Sequence, residues 1–251
     1  MATPDSFVET RTPRAVGWVR EDLADVGLEP FWGPLRPMPG ASGRGGVGVL
    51  QVGASELVVR PYRRGGVLAP ILSDRYLAPS RALAELAVLL ELQRQGVPVV
   101  APVAAVARRR GLFWRLRLCT ERLVDARTMP QFLADVSSAR RRAVEAVGAA
   151  VRLAFAAGLR HPDLHPDNVL CRADGAGVHA VLVDLDRARM DAPLPPRARD
   201  GMLARMQRYI NKHRERLPAA PSRAETMRFL RSLGLERAER HALWRRLAKS
   251  A

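Results

Sequence analysis

Lysine is nearly missing from this chain. Only Lys212 and Lys249 occur, so almost all of the positive charge behind a formal net +16 is carried by arginine. Cysteine is as scarce, with Cys119 and Cys171 far apart and neither in a CxxC pair. That excludes a disulfide framework and a cysteine zinc site, and it suits a reducing cytosol. Long apolar runs are missing too. The longest, Val97 to Ala107, has 11 residues and contains Pro98 and Pro102, well short of the ~20 that a membrane-spanning helix needs. The opening MATPDSFVETRTPR lacks the apolar segment of a secretory signal. Aromatic residues make up 5% of the chain and no recognition-helix motif is visible, so no nucleic-acid partner is expected.

What is present describes a globular protein of ordinary hydrophobicity, 47% over 251 residues. That length allows one sizeable domain or two small lobes sharing a cleft. Arginine grips phosphate and carboxylate with a planar fork, so the cationic surplus points to a polyanionic partner. Nucleic acid, an anionic membrane face and a phosphorylated substrate all fit charge alone, as does a merely solvated surface.

Residues 1–39 read as an irregular, proline-dotted arm with one short helical segment near Val16–Val26. A glycine cluster, GASGRGGVG at Gly40–Gly48, precedes two β-like runs, VLQV and ELVVRPY, with Gly53-Ala54-Ser55 as the turn between them. Ser80 is placed to cap a helix running to about Gln95, with Leu83, Leu86 and Leu90 at helical spacing. Val99–Val106 and Leu112–Cys119 predict a strand pair joined by Arg108–Gly111. Further on, a helix is predicted over Ser138–Ala157, with Val144, Val147, Val151 and Phe155 on one face. The polar loop HPDLHPDN follows, then a hairpin of VLCR and VHAVLVD turned at Ala173–Gly177. The rest is proline-rich, then helical and basic.

Three features occur in the order that phosphoryl transfer from ATP requires. His161 to Asn168 fits the kinase catalytic-loop pattern H-x-D-L-x-x-x-N. It supplies Asp163 to accept or orient a hydroxyl proton, and Asn168 to bind Mg²⁺ through its amide oxygen. Asp184, at the end of Val181-Leu182-Val183, is the second expected Mg²⁺ ligand. The upstream glycine cluster has backbone N–H groups suited to covering the phosphates. Each feature alone has a bland counterpart in turns and flexible loops, whereas the ordered set points to a kinase. His161 is expected to brace the loop. The lysine that kinases place on the third strand is missing, and Arg60 is the candidate in its place, with Glu85 on the next helix as its ion partner.

Read together, these segments resemble the 3-deoxy-D-manno-octulosonic acid (Kdo) kinases of the lipopolysaccharide kinase family. The matching stretches are GRG at Gly43–Gly45, VVRPYRRGG at Val58–Gly66, DRYL at Asp74–Leu77, LCTERL at Leu118–Leu123, HPDLHPDNVL at His161–Leu170 and VDLDRARM at Val183–Met190. The catalytic loop is shared with aminoglycoside phosphotransferases; YRRGG followed by DRYL and DLDRAR is what points to Kdo kinases. The resemblance implies an α+β, two-lobed, protein-kinase-like fold, with an antiparallel sheet and one helix in the N-terminal lobe and a mainly helical C-terminal lobe. The implied division is an arm over 1–39, a nucleotide-binding lobe over 40–123 and a catalytic lobe over 124–251.

It further implies transfer of the γ-phosphate of ATP to a hydroxyl of Kdo on a lipid A precursor. In such kinases an arginine at the Arg60 position is normal. Gly43, Arg44 and Gly45 would lie over the phosphates, Glu121 and its neighbours would meet adenine, and Asp186 would hold the metal loop or its arginine neighbours. Arg63, Arg64 and Arg75 would meet carboxylate or phosphate groups of the glycolipid. The basic C-terminal helices would rest on the anionic cytoplasmic face of the inner membrane. A kinase for another small hydroxylated molecule or for protein, and a catalytically inactive kinase-like binder, remain the alternatives.

Overall fold

The computed structural model of the protein describes residues 6–38, 46–63 and 74–249. The chain divides into two compact units, Met1–Leu90 with Val100–Leu123, and Glu91–Val99 with Val124–Ala251.

The first unit is built on a seven-stranded sheet, antiparallel at every pairing, of β1 (Phe7–Thr12), β2 (Ala15–Arg20), β3 (Arg36–Pro37), β4 (Gly48–Val52), β5 (Ser55–Pro61), β6 (Pro102–Arg110) and β7 (Phe113–Glu121). Its strand order is β1-β2-β6-β7-β5-β4-β3. The expected hairpin of β4 and β5 is present, with Val52 opposite Ser55. The β6–β7 pair is also present but longer than expected, since Arg108, Arg109 and Arg110 lie in the strand. Its turn is Gly111-Leu112. Gly111 has φ +61°, the positive value that the first central residue of a type II′ turn demands.

The stretch before Gly40 is not the irregular arm expected from its prolines. Its first part is the β1–β2 hairpin, and only the second half of Val16–Val26 is helical: Ala15–Val19 lie in β2 and are buried, and Glu21–Val26 form a 3₁₀ helix. A strand covered on both faces carries apolar residues without alternation, which blurs its sequence signature. Leu23, Leu28 and Phe31 then pack with Leu50, Val52, Leu57, Val59, Val103 and Val106 into one core. The segment is therefore part of the first unit.

The predicted helix forms over Ser80–Arg94, labelled α1. Its inward residues are Ala82, Glu85, Leu86 and Leu89, whereas Leu83 and Leu90 are half-buried. The expected leucine stripe is thus turned toward the side that holds a buried carboxylate, for the reason given below.

In the second unit α2 (Met129–Asp135) and α3 (Arg140–Ala156) precede the catalytic loop. Hairpin β10 (Val169–Asp174) and β11 (Gly177–Leu182) follows the loop and pairs with β8 (Arg127–Thr128), while β9 (Leu159–Arg160) pairs with β12 (Arg189–Met190). Helices α4 (Pro196–His213), α5 (Arg223–Ser232) and α6 (Arg237–Lys249) complete the unit. Val144, Val147 and Val151 are buried on α3, as their spacing predicts. Between them Gly148 lets α5 come close: a Cβ there would lie 2.5 Å from Ser232 Cβ and 2.9 Å from the Phe229 carbonyl oxygen. Arg140 donates to both carboxylate oxygens of Glu225 at 2.8 and 2.9 Å, tying the starts of the same two helices together. No helix among the described residues is long and apolar enough to cross a membrane.

Candidate active site

In the first unit, Arg60 projects from β5 to Glu85 of α1. Its Nη2 donates to Oε1 at 2.6 Å and to Oε2 at 2.5 Å. The Tyr62 hydroxyl donates to Oε2 at 2.5 Å, and the Arg60 guanidinium lies 4.7 Å from the centre of the Tyr62 ring. Glu85 is only 3% exposed. A carboxylate this buried persists only when paired and hydrogen-bonded, which explains why α1 turns this residue inward at the expense of Leu83 and Leu90. Arginine therefore does on β5 the pairing expected of the missing lysine.

The remaining first-unit candidates sit along the same sheet. Glu121 closes β7, its N–H donating to the Ala101 carbonyl at 2.9 Å and its carboxylate accepting from Arg20 Nη1 at 2.5 Å. Its side chain is thus drawn to β2. Arg63 lies beside the end of the glycine cluster, where a Cβ on Gly46 would be 3.1 Å from its Nη2. Arg75 lies 5.8 Å from the centre of the Phe113 ring. Gly43, Arg44, Gly45 and Arg64 lie outside the described residues.

In the second unit, the loop after β9 is held from within. His161 is fully buried, and its Nδ1 accepts the Asp163 backbone N–H at 3.2 Å while its backbone N–H donates to Met202 Sδ. Burial pushes the imidazole down to about 4, against the pull of Asp184 and Asp163. It is therefore neutral and fit to accept that bond, the bracing role expected of it. Leu164 is buried as well, so the loop is anchored on both sides of Asp163, whose side chain stays 68% exposed. His165, whose Nε2 is 3.6 Å from Asp163 Oδ2, holds the Asp163 carboxyl below the usual range, with the charge of Arg205 adding to the effect.

Two hydrogen bonds join the three acid and amide residues. Asn168 Nδ2 donates to the Asp163 carbonyl at 2.9 Å, and the Val183 N–H donates to the Asn168 carbonyl at 3.0 Å. The first fixes the amide so that its oxygen is turned away from Asp163. The second brings the end of β11 beside the loop, and Asp184 follows with φ +56°, a sharp departure from strand geometry that non-glycine residues rarely adopt. Asp163, Asn168 and Asp184 are thus gathered in one place. Asp186 lies in the next turn, which closes with the Ala188 N–H donating to the Leu185 carbonyl.

A model of the lipopolysaccharide kinase (Kdo/WaaP) family matches residues 33–232. The chain belongs to this family. It is similar to proteins named 3-deoxy-D-manno-octulosonic acid kinase from Xanthomonas oryzae pv. oryzae (strain PXO99A), with 35% identity over 218 residues covering 83% of this chain and 84% of the relative. It is likewise similar to the protein of that name from Vibrio vulnificus (strain YJ016), with 30% identity over 223 residues covering 85% and 90%. A solved structure titled "WaaP in complex with acyl carrier protein" shares its fold, with TM-score 0.59 and 21% identity over 92% of this chain and 93% of that one. A kinase of α+β, protein-kinase-like fold is the result.

Beyond the lipopolysaccharide kinase motifs, α4 supplies loop contacts that sequence reasoning missed. Tyr209 stacks on His165 with centroids 4.1 Å apart and rings within 5° of parallel. Its hydroxyl donates to Asp167 Oδ2 at 2.5 Å, and burial raises its pKa above the ordinary phenol value. The His213 ring lies tilted by 42° to that of Tyr209 with centroids 4.5 Å apart, and Arg205 donates to the Pro162 carbonyl. The signal was present: 205, 209 and 213 recur every four residues, one face of a helix.

Proposed function

We propose that this kinase transfers the γ-phosphate of ATP to a hydroxyl of Kdo on a lipid A precursor, working peripherally on the cytoplasmic face of the inner membrane. The observation that carries the reading is the hydrogen-bonded chain from Asp163 through Asn168 to Val183 and Asp184. Its acceptor-specific part rests on the named relatives.

Asp163 is the residue for the acceptor. Its depressed pKa keeps it ionised at neutral pH and makes it a weak base, so it orients the hydroxyl and takes the proton late, as a loose phosphoryl-transfer transition state allows. The donor set of Asn168 and Asp184 suits Mg²⁺, which prefers oxygen ligands and takes few from protein, leaving the rest to phosphates and water. When bound, Mg²⁺ neutralises charge on the β- and γ-phosphates. Arg60, set by Glu85 and Tyr62, would grip the α- and β-phosphates, and Gly43, Arg44 and Gly45 would cover them. The backbone near Glu121 would meet adenine. Arg63, Arg64 and Arg75 would receive the acidic glycolipid.

The test is Mg²⁺-dependent transfer of labelled phosphate from ATP to a Kdo–lipid A precursor, with Asp163→Ala as control. Transfer that the variant loses supports reaction and acceptor together. ATP binding without transfer would overturn the acceptor, and failure to bind nucleotide would overturn the reading altogether.

A further inference from the structure

One end of the seven-stranded sheet combines two properties found together nowhere else among the described residues. Leu112 and Leu77 are the most exposed large hydrophobic residues, at 79% and 76%. The antiparallel bridge between Tyr76 and Trp114, with a hydrogen bond each way at 2.9 and 2.7 Å, sets the Leu77 segment beside the β6–β7 turn that carries Leu112. Arginines surround both. Arg109 and Arg110 are exposed and meet no carboxylate among the described residues, the Arg109 side chain donating to the Gly111 carbonyl. Arg14, in the β1–β2 turn, reaches the same end because its carbonyl accepts the Arg109 N–H at 2.7 Å. Arg75 completes the rim, while Asp74 is engaged by Arg115 at 2.7 Å.

A tight turn projecting a bare leucine from a ring of arginines is a poor design for water. It matches an interfacial surface, where cations meet anionic headgroups and a short apolar tip enters the acyl boundary. The C-terminal helices, expected from charge to fill this role, carry arginines but none of the large exposed hydrophobic residues. We propose that the β6–β7 turn, with Leu77 and Arg14, is the membrane-docking surface of this kinase, and that its partner is an anionic phospholipid bilayer. The inference deepens the proposed action on a lipid acceptor and rests on it. Arg75 lies on the same rim, so docking here would present the bilayer to a residue assigned to the acceptor.

The experiment is sedimentation of the full chain with vesicles of phosphatidylcholine alone, or of equal parts phosphatidylcholine and phosphatidylglycerol. The protein should sediment with the second and be released by salt. Each arginine is worth about a five-fold change in affinity at such a surface, so Arg109→Gln/Arg110→Gln should weaken binding ~25-fold. Leu112→Ser, which removes the apolar tip, should weaken it about ten-fold. A dye on Leu112→Cys should shift to the blue with anionic vesicles; native Cys119 and Cys171 are buried and will not compete for it. Asp163→Asn should bind vesicles like the parent, which separates this surface from the catalytic reading. Unchanged binding in the turn variants, with loss on Arg208→Gln/Lys212→Gln, would overturn the proposal in favour of the C-terminal helices. So would absence of binding to any vesicle, or binding only to an acidic soluble protein.

Discussion

Replacing Glu85 by glutamine keeps the shape of the side chain and removes its charge, leaving Arg60 beside an amide. Its carboxylate accepts from Arg60 Nη2 on both oxygens and from the Tyr62 hydroxyl. Glutamine has one acceptor oxygen and an NH₂ group that would face these donors. Breaking a buried pair from one side costs about 3–5 kcal/mol. The Arg60 side chain is 20% exposed and recovers some hydration, so the expected cost is nearer ~2–3 kcal/mol. For a chain of this size that lowers the melting temperature by roughly 5–10 °C, readable by thermal shift. Tyr62→Phe removes one hydrogen bond and should cost only about 1 kcal/mol. Arg60→Lys is the informative companion. Because a single nitrogen contacts both carboxylate oxygens, an ammonium can replace it, and that variant should lose less than Glu85→Gln. A Glu85→Gln protein melting with the parent, or Arg60→Lys falling below Glu85→Gln, would refute the claim that this pair holds β5 to α1.

Gly148→Ala should destabilise the second unit by about 1–3 kcal/mol, since its methyl meets Ser232 Cβ and the Phe229 carbonyl; a urea midpoint equal to that of the parent would refute this. The buried His161 is neutral when folded and titrates at about 4 instead of 6.5. Between those values the unfolded chain binds the extra proton, so stability should fall as pH drops through that window, by up to about 3 kcal/mol, and no further below it; urea titrations across the window check the slope. Glu225 is held down to about 2 by Arg140. Its contribution is present above the unfolded value near 4.5 and lost as pH falls toward 2, so Glu225→Gln should flatten that limb of the same curve. Tyr209→Phe, losing the bond to Asp167 but keeping the stack on His165, should lower kcat for phosphate transfer more than it changes the KM for ATP; equal effects on both would assign the residue to stability alone.

The elements most legible in the sequence were those whose signals are local. The β4–β5 and β10–β11 hairpins declare themselves through glycine between short apolar runs, and the valine face of α3 through helical spacing. The catalytic loop was legible for the same reason, since Asp163 and Asn168 lie within one short segment, and the hairpin after it returns Asp184 to them. The β1–β2 hairpin escaped because its pairing with β6, Val16 opposite Ala107, is a long-range choice that prolines nearby obscure. The buried face of α1 was misjudged because an ion pair with β5 overrode the leucine spacing. The packing of α4 on the loop left only a four-residue recurrence of Arg205, Tyr209 and His213, which means nothing until the loop is known to lie there.

The Leu182 N–H of β11 donates to the Pro98 carbonyl, and Leu182 bridges Val99 in parallel. Both partners belong to the short stretch Glu91–Val99 that groups with the second unit before the chain returns to the first. During synthesis this stretch therefore leaves the ribosome well ahead of the strand it will join, while the first unit can finish assembling once Leu123 is out. The second unit must wait for Leu182 and reach back for a piece made long before. A fragment starting at Val124 lacks Pro98 and Val99, so a cut at the apparent seam after Leu123 takes from β11 the partners of Leu182.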